Sequence, residues 1–197
     1  MIDLTKTIDL STTYLGLKLK NPLVASSSPM CQDIGNIRRM EDAGAAAVVL
    51  DSLFEEQIVL ESTDLDRFLS ASSEISAEST TQLPELTHGV VGPETYLEHI
   101  RKCKEAVGIP IVGSLNGSTN GGWLHYAKQM QEAGADALEL NIYYIPVDPK
   151  VTGEQVEEQY VELLKAVKAE VKIPVAVKLG PYFSSMASAP ASCICLA

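Results

Sequence analysis

The chain has 197 residues, 46% of them apolar, and its 15 basic against 26 acidic side chains leave a net charge of −11. That apolar content suffices for one sizeable core, while the acidic balance repels a phosphate backbone and argues against nucleic acid as a partner. No apolar run approaches the roughly 18 residues of a membrane span. The first residues lack a basic segment leading into an apolar one, so no signal peptide is expected and the cytoplasm is the expected compartment.

In chain order, the first apolar run is PLVAS at 22–26, which ends in serines. Ile34, Ile37 and Met40 follow at helical spacing, with Gly44 as the stop. AAVVLD at 46–51 is the second run, and residues 70–82 (SASSEISAESTTQ) then break the pattern as a flexible excursion poor in large apolar side chains. Pro93 opens a helix striped by Tyr96, Ile100, Cys103 and Val107. IPIVGSL at 109–115 is the third run, followed by a helix with Trp123, Ala127 and Met130 that Gly134 ends. ALELN at 137–141 precedes a helix striped by Val156, Tyr160, Leu163, Leu164 and Val167, for which Thr152 and Gln155 form a capping box. IPVAVKL at 173–179 is the fifth run. Residues 187–197 are uncharged, contain Pro190 and read as an atypical tail with no polar face.

The five runs are short, aliphatic and do not alternate, which fits strands buried on both faces of a parallel sheet. The units also repeat. Met40-Glu-Asp-Ala-Gly-Ala-Ala-Ala-Val-Val-Leu-Asp51 parallels Met130-Gln-Glu-Ala-Gly-Ala-Asp-Ala-Leu-Glu-Leu-Asn141. Repeated helix–Gly–strand units predict an α/β fold of the (β/α)8 TIM-barrel type. A closed barrel usually needs about 250 residues, so residues 1–186 are expected to form an incomplete barrel of about five units.

In such a barrel the chemistry collects at the carboxyl ends of the strands. Ser26, Ser27 and Ser28 stand at the first end, Asp51 and Ser52 at the second, and Ser114, Asn116 and Gly117 at the third. Asn141 closes the fourth, before Tyr143 and Tyr144, and Lys178 lies in the fifth. This ring of hydroxyls and amides suits a planar heterocycle with many hydrogen-bonding edges. Lys178 has apolar neighbours, so its cation needs an anion, which a reduced flavin or a carboxylate such as Asp51 or Glu139 would supply. An unpaired lysine there would instead suit Schiff-base lyase chemistry. Cys31, Cys103, Cys193 and Cys195 lack metal-ligand spacing and read as reduced thiols, so no metal site is expected. His99 and His125 fall on helices and read as solvated, and His88 ends the excursion.

Several segments resemble the class 1 dihydroorotate dehydrogenases. Asn21-Pro-Leu-Val-Ala-Ser-Ser-Ser-Pro-Met-Cys31 is similar to that family's first-strand motif, and Val112-Gly-Ser-Leu-Asn-Gly-Ser118 to its third strand. Glu139-Leu-Asn-Ile resembles the fourth-strand motif, and Val177-Lys-Leu-Gly-Pro-Tyr-Phe183 the fifth. Tyr14-Leu-Gly-Leu-Lys-Leu-Lys-Asn-Pro22 resembles the N-terminal hairpin that plugs the barrel bottom. The resemblance implies FMN, bound by Ser26, Ser27, Ser52, Asn141 and Lys178, with Asn141 also touching a small-molecule substrate. It implies pyrimidine biosynthesis, with hydrogen removed from the C5–C6 bond of dihydroorotate. Tyr144 stands where the family has its cysteine base, Ser28 where it has a glycine, and Asp51 where it has a lysine. A phenol with a reference pKa near 10 is a weak base at neutral pH, so impaired catalysis is expected. The family's phosphate-holding turns follow strands seven and eight, so weak FMN binding is expected here. The alternatives are a non-catalytic barrel fragment and a Schiff-base lyase using Lys178. Strands one and five would be open edges, so self-association through them is expected. Val24, Val49, Val112, Leu138 and Val177 are expected to face the barrel interior.

Overall fold

A computed structural model describes residues 8–56, 93–117, 120–142 and 146–180, with Phe183 and Ser185. The excursion at 70–82, Tyr144 and the tail at 187–197 lie outside these residues.

A hairpin comes first, β1 (Thr12–Tyr14) antiparallel to β2 (Leu17–Leu19). Leu15 and Gly16 make its two-residue turn with φ of 52° and 73°, the left-handed pair that matches strand twist. The repeat follows as β3 (Val24–Ala25), a 3-10 turn (Pro29–Gln32), α1 (Ile34–Asp42), β4 (Ala47–Phe54), α2 (Pro93–Ala106) and β5 (Ile111–Asn116). It continues through α3 (Asn120–Glu132), β6 (Ala137–Ile142), α4 (Gly153–Glu170) and β7 (Val175–Leu179). The five strands β3 to β7 pair in sequence order, all parallel, as a curled half-barrel.

Local chemistry sets the joints. At both Ala-Gly-Ala repeats the helix ends in a Schellman turn. Gly44 (φ 101°) donates to the Glu41 carbonyl and Ala45 to that of Met40. Gly134 (φ 99°) donates to Gln131 and Ala135 to Met130 in the same way. The side chains of Glu41 and Gln131, equivalent in the repeat, then reach the next joint. Glu41 accepts from Gly108 N–H at 2.9 Å, and Gln131 accepts from Ile173 N–H at 3.2 Å. Thr152 and Gln155 form the capping box. Asp33 caps α1, accepting from Asn36 N–H at 2.9 Å.

The strands differ in length from the apolar runs. β5 and β7 begin just after Pro110 and Pro174, whose missing N–H groups cannot join a ladder. The carbonyls of these prolines still accept from Val48 and Leu138 N–H. β3 shrinks to two residues, its entry held by Asn21, which donates to the Gly44 carbonyl and accepts from Leu23 N–H. β4 runs three residues beyond its apolar run, through a register shift between Val49 and Ser52.

Two apolar layers result. Leu138 and Leu140 of β6 face outward onto the helices with Ile100, Met130 and Val167, and Val175 and Val177 pack there too. Leu138 and Val177 therefore do not face the barrel interior, because period two puts them opposite Ala137 and Lys178. Inside, Val49, Val112 and Ala137 form a layer closed from below by Leu15 and Leu17 of the hairpin and by Val24.

Candidate functional site

Above that inner apolar layer the interior turns polar, and the β4 bulge decides which side chains face it. Val49 pairs with Val112 and Ser52 with Ser114, so three residues of β4 oppose two of β5. The extra residue returns Ser52, instead of Asp51, to the inner face. Ser114 pairs in turn with Glu139, and Glu139 with Ala176. One step higher, Asn141 pairs with Lys178.

These side chains bond to one another. The Asn141 amide donates to Ser52 Oγ at 2.9 Å and to Ser114 Oγ at 3.1 Å. The two hydroxyls are 2.8 Å apart, and Ser27 Oγ stands 3.4 Å from Ser52 Oγ. Asn141 is 8% exposed and Ser114 fully buried, yet Asn141 Oδ1 has no hydrogen-bond partner. Ser114 is fixed from behind by Tyr96 of α2. The Tyr96 hydroxyl donates to the Ser114 carbonyl at 3.2 Å and accepts from its N–H at 3.0 Å. Burial pushes the Tyr96 phenol far above its usual value, so it stays a neutral donor.

Lys178 projects from β7, an edge strand, and its side chain is 53% exposed. Its Nζ lies 3.4 Å from Glu139 Oε1, so the lysine has a carboxylate partner, and that partner is Glu139 rather than Asp51. Asp51 turns instead to Gln32, whose amide it accepts, and to Ser52 N–H at 3.1 Å. Ser26 is exposed, and its carbonyl accepts from the Cys31 thiol at 3.7 Å.

The structure thus gathers Ser27, Ser52, Asn141 and Lys178 on one face at the carboxyl ends of the strands, with Ser26 beside them. Tyr144 lies outside the described residues. Ser114 and Glu139 belong to the same surface, and sequence reasoning left them out of the binding set. Period-two alternation held the signal, since Glu139 and Asn141 must share a face. His99 departs from its solvated reading: its Nε2 sits 2.7 Å from the Cys31 carbonyl, tying α2 to the turn after β3. Among the described residues no group of three or more His, Cys, Asp or Glu could hold a metal ion, and no helix is long and apolar enough to cross a membrane.

No protein-family model matches the chain. Curated relatives do. The dihydroorotate dehydrogenase B (NAD(+)) catalytic subunit of Thermoplasma acidophilum is 28% identical over 190 residues, covering 90% of this chain and 56% of that protein. The chain is homologous to these catalytic subunits. The corresponding subunit of Pyrococcus abyssi is 29% identical over the same shares of the two chains. The NAD-dependent dihydropyrimidine dehydrogenase subunit PreA of Escherichia coli K12 is 27% identical over 91% of this chain and 44% of its own length. The chain therefore spans about half the length of the relatives it matches. Among solved structures, a putative dihydrodipicolinate synthase family protein from Coccidioides immitis superposes with a TM-score of 0.53 at 12% identity, over 90% of this chain and 50% of that one. Dihydrodipicolinate synthase from Agrobacterium tumefaciens gives 0.51 at 14% identity, over 85% and 48%. These two likenesses concern the fold alone and agree with a barrel built in part.

Proposed function

We propose that the chain provides the first five β/α units of an FMN-dependent oxidoreductase that acts on the CH–CH bond of a dihydropyrimidine, dihydroorotate above all, in the cytoplasm. The observation that carries this reading is the orphaned acceptor Asn141 Oδ1, buried beside a row of hydroxyls on the residue that pairs in register with Lys178. The pyrimidine edge of a flavin presents an N–H between two carbonyls, so it needs an acceptor flanked by donors. Asn141 Oδ1 is the acceptor and Lys178 Nζ a donor, so these residues fit the group. Bound FMN would supply the hydride acceptor. Ser52 and Ser114 hold the Asn141 amide by its nitrogen and so leave its oxygen as an unused acceptor, while Ser27 borders the same surface. Asn141 is also the contact proposed for substrate.

Catalysis is proposed to be impaired, since Tyr144 occupies the position of the family's cysteine base. Loss of a general base costs about 10²–10⁴-fold. Self-association through the free edges of β3 and β7 belongs to the same reading. A Schiff-base lyase needs a lysine amine free to attack a carbonyl, and Lys178 Nζ is instead paired with the Glu139 carboxylate at 3.4 Å.

The test is titration of the purified chain with FMN, followed by flavin fluorescence, for the wild type and for Asn141→Ala. Weak saturable binding that the substitution abolishes is expected. Binding indifferent to Asn141, or dihydroorotate turnover at rates typical of the family, would contradict the reading.

A further inference from the structure

The Glu139 carboxylate has no role in the oxidoreductase reading above, yet it is an ionisable group on the inner polar surface. It sits one register step below Asn141 and Lys178, between Ser114 and Ala176. Its side chain is 15% exposed, and Oε1 is buried with no hydrogen-bond partner, the contact to Lys178 Nζ at 3.4 Å being ionic only. A carboxylate oxygen withdrawn from water without a hydrogen bond is costly, and a cation close by offsets that cost. Among the described residues Lys178 is its ion-pair partner.

Lys178 has the opposite problem. It hangs from an edge strand on a flexible four-carbon stem, and over half of its side chain is in solvent. The inner faces of its neighbours Asn141, Ser114 and Ser52 offer no anion, and Asp51 is turned to Gln32. Among the described residues, the carboxylate paired with the ammonium is the one below it on the inner face, Glu139.

We propose that Glu139 is the positioning residue for Lys178, holding its ammonium over the inner face at the level of Asn141, where the proposed flavin edge would meet it. This inference rests on the flavin reading for its purpose but not for its geometry, and the two fail separately. The alternative is that Lys178 merely neutralises Glu139 and takes no part in binding.

The experiment has two arms on the full chain. In the absence of flavin, lysines are acetylated with a limiting amine-reactive ester, and labelling of Lys178 is read by peptide mass spectrometry against the exposed Lys172. Glu139→Gln keeps shape and removes charge, and it is expected to raise the Lys178:Lys172 ratio about threefold or more, the scale of a surface ion pair. An unchanged ratio would overturn the proposal. In the second arm, FMN dissociation constants are measured for wild type, Glu139→Gln, Lys178→Met and the double variant. Lys178→Met should weaken FMN about tenfold in the wild type, as for a charge-assisted bond, and far less in the Glu139→Gln background. Additive effects would show that Glu139 does not place the lysine. If no variant binds FMN, the flavin reading fails and the labelling arm alone decides the positioning role.

Discussion

At the scale of single residues, the site depends on hydrogen bonds that no single segment contains. Tyr96 and Ser114 are the sharpest case, since one buried phenol satisfies both backbone groups of a buried strand residue. Tyr96→Phe removes that donor and acceptor without changing the packed ring. The buried Ser114 N–H would lose its partner, at a cost of about 1–3 kcal/mol, measurable as a lower urea midpoint at unchanged slope. Cys103 makes a different point. Burial, helped by the nearby Cys31 thiol, pushes its thiol up to about 11. A folded value above the unfolded one gives stability that is complete below about pH 9 and is lost as pH rises through about 11. Urea midpoints followed across that window should fall, and Cys103→Ala should flatten the fall. An equal slope in both proteins would show that Cys103 ionisation is not the cause.

The elements are held by turns more than by propensity. Gly44 and Gly134 end equivalent helices at positive φ, and a Cβ on Gly44 would meet nothing within 4 Å. The cost of Gly44→Ala is therefore backbone strain alone, about 1–2 kcal/mol. Gly134→Ala has only an ordinary contact with Lys104 Cγ at 3.8 Å and should cost about the same. Thermal unfolding of both variants checks this, and a drop in one only would break the equivalence of the repeats. Gly113 and Gly117 serve packing instead. An added Cβ on Gly117 would lie 2.7 Å from the Trp123 ring, so something must shift where α3 meets the end of β5, while one on Gly113 would lie 3.1 Å from Met130 Sδ, a tight contact in which the methionine must give slightly.

At the scale of the whole molecule, β3 and β7 are the edge strands of the five-stranded sheet among the described residues. β7 shows partly exposed Val175, Val177 and Leu179, and β3 offers only two residues for pairing. An uncapped parallel edge exposes unpaired backbone groups and invites another strand. Light scattering on the eluting chain should show species larger than a monomer, in a concentration-dependent equilibrium. Val177→Pro removes an N–H from the β7 edge and should shift that equilibrium towards monomer. A monodisperse monomer at all concentrations would contradict association through these edges.

Much of this is legible in the amino-acid sequence. The period of the apolar runs, the Ala-Gly-Ala joints and the Thr152–Gln155 capping box are local, because each depends on residues within a turn or two of one another. They suffice for five parallel strands in chain order and for placing Asn141 and Lys178 near strand ends. What only the tertiary structure decided was the facing of side chains and the pairing of charges. The bulge after Val49 exchanges Asp51 for Ser52 on the inner face, and no spacing rule announces a one-residue slip. Leu138 and Val177 read as interior and are exterior, because a fully apolar strand carries no alternation to show which face is which. Lys178 had two candidate carboxylates in the sequence, and the register between β6 and β7 chose Glu139. Such choices depend on contacts between residues tens of positions apart, where the free energy lies in burial and pairing and not in local preference.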